Sequence, residues 1–354
     1  MKHIVFLVHG MGRHAPRTWA VSVVAKLEEL AQRYPYFQGR TLDEWVEFVP
    51  IDYDERITTV LRTWQESAGP VSAFAAAQEL DFAGGLDWLD GIAAEDADFY
   101  WTHLADVVIY RLFRLYRERI RISVVDQMAT VLARELDQHG GATASVIAHS
   151  LGTAVTHDAL CKLGGTPPAN LPNTLAHPHW AFKHLFMLAN TSRVLQSDFK
   201  AYNSIVRPGP ANSTQAYCSR FHSFHHELDP FTIPRRFAPS NWGTLYRGEE
   251  LGHFREWNVH GFGHYLDNPR CHIPILKAIT RSDAITASEA GRAVDEGTYP
   301  RFGGDFQPLV EVRAKLAELG ALRHELGDDP SLPETFDILS RGFKVLREIK
   351  DLMP

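Results

Sequence analysis

Cysteine is scarce in this chain of 354 residues: Cys161, Cys218 and Cys271 are the only three, widely separated and without a CxxC pair. An odd count at such spacings excludes a disulfide framework and a cysteine-based zinc site, and leaves reduced, buried thiols as the expectation. Long hydrophobic runs are also missing. No stretch approaches the roughly 18 to 20 apolar residues that a membrane span needs. Lys2 precedes an apolar run, but Ile4 to Val8 is too short for a signal-peptide core and ends at His9-Gly10 without a cleavage pattern. Positive charge is in deficit too. A formal net charge of −7 argues against a general nucleic-acid-binding surface, so no nucleic-acid partner is expected, while the scattered reduced thiols are what reads as cytoplasmic.

What is present is ordinary globular composition, 45% hydrophobic and 22% charged, in a chain long enough for one large α/β domain with insertions or for two smaller domains, the first being favoured. Ile4-Val5-Phe6-Leu7-Val8 is a continuous aliphatic run of the kind buried on both faces of a mostly parallel sheet. Thr18 to Tyr34 carries apolar residues at helical spacing and is stopped by Pro35. A second strand is expected over Trp45 to Ile51, a helix over Val124 to Leu136, and further strands over His184 to Ala189 and Gln215 to Phe224. From about Glu55 to Arg121 no convincing strand is found, and this aromatic-rich segment is expected to be a helical cap. Arg281 to Gly303 reads as a linker or irregular flank. Two amphipathic helices follow it, around Leu309 to Leu319 and Phe336 to Ile349, whose apolar stripes must pack on the body or form a homodimer interface.

Ala144 to Thr153, Ala-Ser-Val-Ile-Ala-His-Ser-Leu-Gly-Thr, organises the rest. A β-rich run ends in Ser150, flanked two residues away by Ala148 and Gly152, and helix-compatible sequence follows immediately. A serine on so sharp a strand-to-helix turn projects its hydroxyl clear of the backbone, and the turn tolerates only small neighbours. Together with His9-Gly10-Met11-Gly12 after the first strand, Asp229-Pro230 after a late strand and His264-Tyr265 beyond it, this resembles the α/β-hydrolase superfamily, nearest to its lipase and esterase members, over roughly residues 1 to 280.

The resemblance implies a mostly parallel sheet with helices on both faces: a catalytic domain at 1–280, a cap at 55–121, and a linker with a C-terminal helical appendage at 281–354. It implies Ser150 as nucleophile, Asp229 as orienting acid, and the amides of Met11 and Leu151 as oxyanion donors. Two histidines compete for the base. His264 is favoured over His260 because relatives often follow the histidine with Tyr, here Tyr265, and start a Pro-led helix soon after, here at Asn268-Pro269. The implied chemistry is cleavage of a small-molecule acyl ester or lipid, with no metal or organic cofactor; an amidase, an acyltransferase or a non-catalytic scaffold are the alternatives. His225-His226 near Asp229 has no metal-ligand spacing of weight. Arg111, Arg114, Arg117 and Arg121 recur at helical spacing and are expected on a solvated face, with peripheral contact to an anionic membrane as the sharper reading.

Overall fold

The computed structural model describes residues 2–10, 18–53, 110, 114–165, 180–193, 195, 201–210, 213–229, 231–232, 236–253, 258–295 and scattered positions between 314 and 348. Six strands form one sheet in the order β2-β1-β3-β4-β5-β6. They are β1 (His3–Val8), β2 (Val46–Ile51), β3 (Ala144–His149), β4 (Phe182–Leu188), β5 (Cys218–His226) and β6 (Tyr246–Leu251). Every pairing is parallel. The expected strands are therefore found, and β6 is an addition at the edge of the sheet.

An all-parallel sheet needs cover on both faces, and the alternation of β1 shows how it is divided. Ile4, Phe6 and Val8 join one core cluster, with residues of α2 (Arg114–His139) and α3 (Leu151–Gly165). Val5 and Leu7 join the other, with α1 (Thr18–Ala31), α4 (Phe262–Asp267) and α5 (Pro269–Ile279). Asn268 caps α5 by accepting a hydrogen bond from the Arg270 amide at 2.9 Å, with Pro269 in the first turn.

Several expectations change. Helix α2 begins at Arg114, so the last residues of the expected cap belong to a body helix; residues 55–109 and 111–113 lie outside the described residues. Arg117 and Arg121 are buried rather than on a solvated or membrane-facing side. The Arg121 guanidinium donates to Asp158 of α3 at 2.8 Å and also pairs with Glu118. Tyr110 donates to the same Asp158 carboxylate at 2.9 Å. Within the expected linker, Ala287–Asp295 forms a helix, α6. Of the C-terminal appendage, Leu322 and Val345 are buried in the cluster that includes α2 and α3. The three cysteines are free and buried. Among the described residues no helix is long and apolar enough to cross a membrane.

A tight junction lies where α3 meets β1. A Cβ on Gly152 would stand 2.1 Å from the His9 carbonyl oxygen and 2.7 Å from that of Val8, both main-chain atoms that cannot swing away. Gly152→Ala is therefore expected to lower stability by about 1–3 kcal/mol, the usual cost of overpacking. Urea denaturation measures it, and a midpoint equal to that of the unchanged protein would contradict this packing.

Candidate functional site

In the sheet order, β1 lies between β2 on one side and β3 on the other. The chain therefore moves outward from β1 in one direction and then crosses to its other side. Such a reversal opens a crevice at the carboxyl ends of the strands, where ligands bind in open parallel sheets. His9-Gly10 leaves β1 there, and Ser150 leaves β3 beside it. The two are packed so closely that a Cβ on Gly10 would come 2.9 Å from the Ser150 Cβ.

Ser150 has φ of 54°, a left-handed conformation that disfavours any residue with a Cβ. Its surroundings over-determine it. The Ser150 amide donates to the Leu188 carbonyl at 2.9 Å. Its own carbonyl accepts from the Thr153 amide at 2.9 Å, the Thr153 hydroxyl at 2.7 Å and the Thr191 hydroxyl at 2.9 Å. A backbone held in so sparsely populated a region by its neighbours is a mark of functional sites. The result is a serine at the mouth of α3, directly before a helix N-terminus whose first amides lack intrahelical partners.

The Ser150 hydroxyl lies 2.7 Å from Nε2 of His260. On the other side of the same ring, Nδ1 lies 2.9 and 3.0 Å from the two carboxylate oxygens of Asp229. Because a carboxylate only accepts, Nδ1 carries the proton, and Nε2 presents its lone pair to the serine. Asp229 has no exposed surface. It also accepts from the Tyr265 hydroxyl at 2.6 Å and from the Phe231 amide at 3.0 Å. Burial alone would raise its pKa, but His260, Tyr265 and the Phe231 amide outweigh burial and hold the carboxyl below the usual range. The Phe231 ring covers the imidazole, 4.1 Å between centroids.

Ser150, Asp229 and His260 are thus brought together, and His264 is not. The preference for His264 is corrected by helix phase. His264 and Tyr265 are successive residues of α4, about 100° apart around its axis. With the Tyr265 hydroxyl on Asp229, the neighbouring imidazole is turned away and stacks on His253 at 4.0 Å. His260 sits in the turn before α4, and its carbonyl accepts from Nε2 of His149 at 2.8 Å. That clamp was not read from sequence, although His149 adjoins Ser150. Of the two expected main-chain donors, Leu151 is the first residue of α3, while Met11 lies outside the described residues, as does Pro230.

Nitrogens of His226, His253 and His264 lie within 4.8 Å of one another, close enough for one metal ion. Two of the rings are already committed. His226 donates from Nε2 to the His253 carbonyl and accepts at Nδ1 from the Leu228 amide at 3.2 Å. His253 donates from Nε2 to the His264 carbonyl at 2.9 Å and accepts at Nδ1 from Asn268 at 2.9 Å. An ion would have to displace protein donors from both. The trio fits a packed histidine stack that ties β5 to α4 better than it fits a metal centre.

Since the folded pKa of Asp229 is lowered, its carboxylate stabilises the fold above the unfolded value of about 3.9, and this contribution is lost as pH falls through the folded value. The stability gap between the unchanged protein and Asp229→Asn should therefore be wide at neutral pH and narrow below about pH 4. Urea denaturation at a series of pH values measures it, and a gap independent of pH would contradict the assignment of charge. No protein-family model matches the chain, and no curated protein matches it.

Proposed function

We propose that the chain is a serine hydrolase of α/β-hydrolase type that cleaves carboxylic esters through a covalent acyl-enzyme. One observation carries the reading: the continuous hydrogen-bonded series from the Ser150 hydroxyl through His260 to the buried Asp229. The six parallel strands, the left-handed Ser150 and its place at the reversal of strand order support the resemblance drawn from the motifs.

In the first half-reaction Ser150 Oγ attacks the ester carbonyl while its proton passes to Nε2 of His260. Asp229 holds the ring in the required tautomer and stabilises the imidazolium. Collapse of the tetrahedral intermediate breaks the bond to the alkoxy group, which leaves as the alcohol with the proton from Nε2. Water then repeats the sequence on the acyl-serine and releases the acid. The developing oxyanion is assigned to the Leu151 amide at the start of α3, with the Met11 amide as the second donor implied by the HGMG resemblance.

The test is hydrolysis of p-nitrophenyl esters from short to long acyl chains. His260→Ala should lower kcat/KM by about 10³-fold or more, and His264→Ala by far less. Equal losses in the two variants, or a larger loss in His264→Ala, would overturn the assignment of the base. No turnover of any ester by the folded protein would overturn the reaction.

A further inference from the structure

On the sheet face that packs against α5, neighbouring strands set His184 level with Arg220 and His222 level with Arg247. Adjacent strands are about 4.8 Å apart, so these side chains form two successive rows. Arg270 and Lys277 of α5 close the opposite wall, and the space between is a groove of about 870 Å³. It lies at the amino-terminal half of β5 and β6, the opposite end of the strands from Ser150.

The charges in this groove are poorly matched. Among the described residues no acid lines it. Glu249 stands nearby, 2.7 Å from the Arg247 guanidinium and 3.8 Å from that of Arg270, so one carboxylate serves two cations. Lys277 donates to the Ile285 carbonyl at 2.9 Å, which leaves its charge in place. Arg220 lies two residues from His222, the partner of Arg247, so the two arginines stand at diagonal positions on neighbouring strands, in a chain whose net charge of −7 leaves acids to spare.

The two histidines register the same excess. His184 Nδ1 and His222 Nε2 share a hydrogen bond of 3.3 Å. Burial, with smaller contributions from His184, Arg247 and Arg220, lowers the pKa of His222 to about 3. Burial and nearby His3, Arg220 and Lys183 lower that of His184 to about 4. His222 is only 9% exposed, and its Nδ1 has no hydrogen-bond partner among the described residues. A buried polar atom with no partner among the described residues calls for an explanation.

We propose that this groove binds a compact polyanion bearing adjacent phosphates, held by Arg220, Arg247, Arg270 and Lys277 with His222 as a further polar contact. Guanidinium groups suit phosphate oxygens because their planar fork donates two parallel hydrogen bonds. A phosphorylated metabolite and a phosphorylated lipid headgroup share this chemistry.

Inorganic pyrophosphate is the probe, titrated calorimetrically into the full chain at near-physiological salt, where exposed charges further apart than about 8 Å are screened. Saturable binding is expected, weakened at least tenfold in Arg220→Glu/Arg247→Glu. Unchanged affinity in that variant, or no saturation in the unchanged protein, would overturn the site. Should the charge reversals prevent folding, the imidazole resonances of His222, assigned by their loss in His222→Phe, decide it. They shift saturably with pyrophosphate if the groove is the site and stay fixed if it is not. Vesicles containing a phosphoinositide separate the two sources: sedimentation with them, reversed by pyrophosphate, assigns the headgroup, and pyrophosphate binding without sedimentation assigns the soluble ligand.

Discussion

A carboxylate sealed from water is costly unless its charge is met, and Asp229 meets that condition with three donors from three segments: the His260 ring, the Tyr265 hydroxyl and the Phe231 amide. The arrangement fixes more than a charge. Tyr265 also accepts the His226 amide at 2.9 Å, so its hydroxyl links the end of β5 to α4. The turn bearing His260 is thereby positioned between Asp229 and the sheet, with His149 holding its carbonyl from the other side. Held on Asp229 in this way, the imidazole faces Ser150.

The opposing half of the site is built on strain. Ser150 is held in its left-handed conformation by the surrounding hydrogen bonds, where the chain passes from β3 into α3 with Gly152 packed closely on β1. Small residues at 10 and 152 are thus packing requirements of the junction as well as conditions for ligand approach. Energy lost to this conformation is offset by the buried strands on either side, all six residues of β3 being buried. The result is a hydroxyl whose position is set by the sheet, facing an imidazole whose position is set by a buried charge.

Much of this was legible in the residues. Continuous apolar runs announce β1, β3 and β4 because strands covered on both faces have no polar alternation to disguise them. β6 escaped notice for the converse reason. Tyr-Arg-Gly-Glu-Glu-Leu pairs on one side only and keeps several side chains in solvent, so its composition is that of a loop. Ser150 is marked in the sequence by the sharp strand-to-helix turn, and Asp229 by the resemblance of Asp229-Pro230 to the acid-bearing loop of lipase-like hydrolases. The choice between His260 and His264 depended on which ring shares a side with Tyr265, a matter of helix phase in an element that sequence did not predict. The arginines at 117 and 121 misled in the same way. Their spacing is that of a surface stripe, but Asp158, to which Arg121 donates, lies 37 positions on in α3 and becomes a neighbour only in the fold.

The central claim is that Ser150 is a nucleophile activated by its surroundings, and it is met most directly by exposing the folded protein to a fluorophosphonate and mapping the adduct by peptide mass spectrometry. The account predicts a single phosphonylated serine, at position 150, formed quickly in the unchanged protein and only slowly when His260 is replaced by alanine. An unmodified Ser150 in folded protein, or labelling at the same rate without the imidazole, would contradict it.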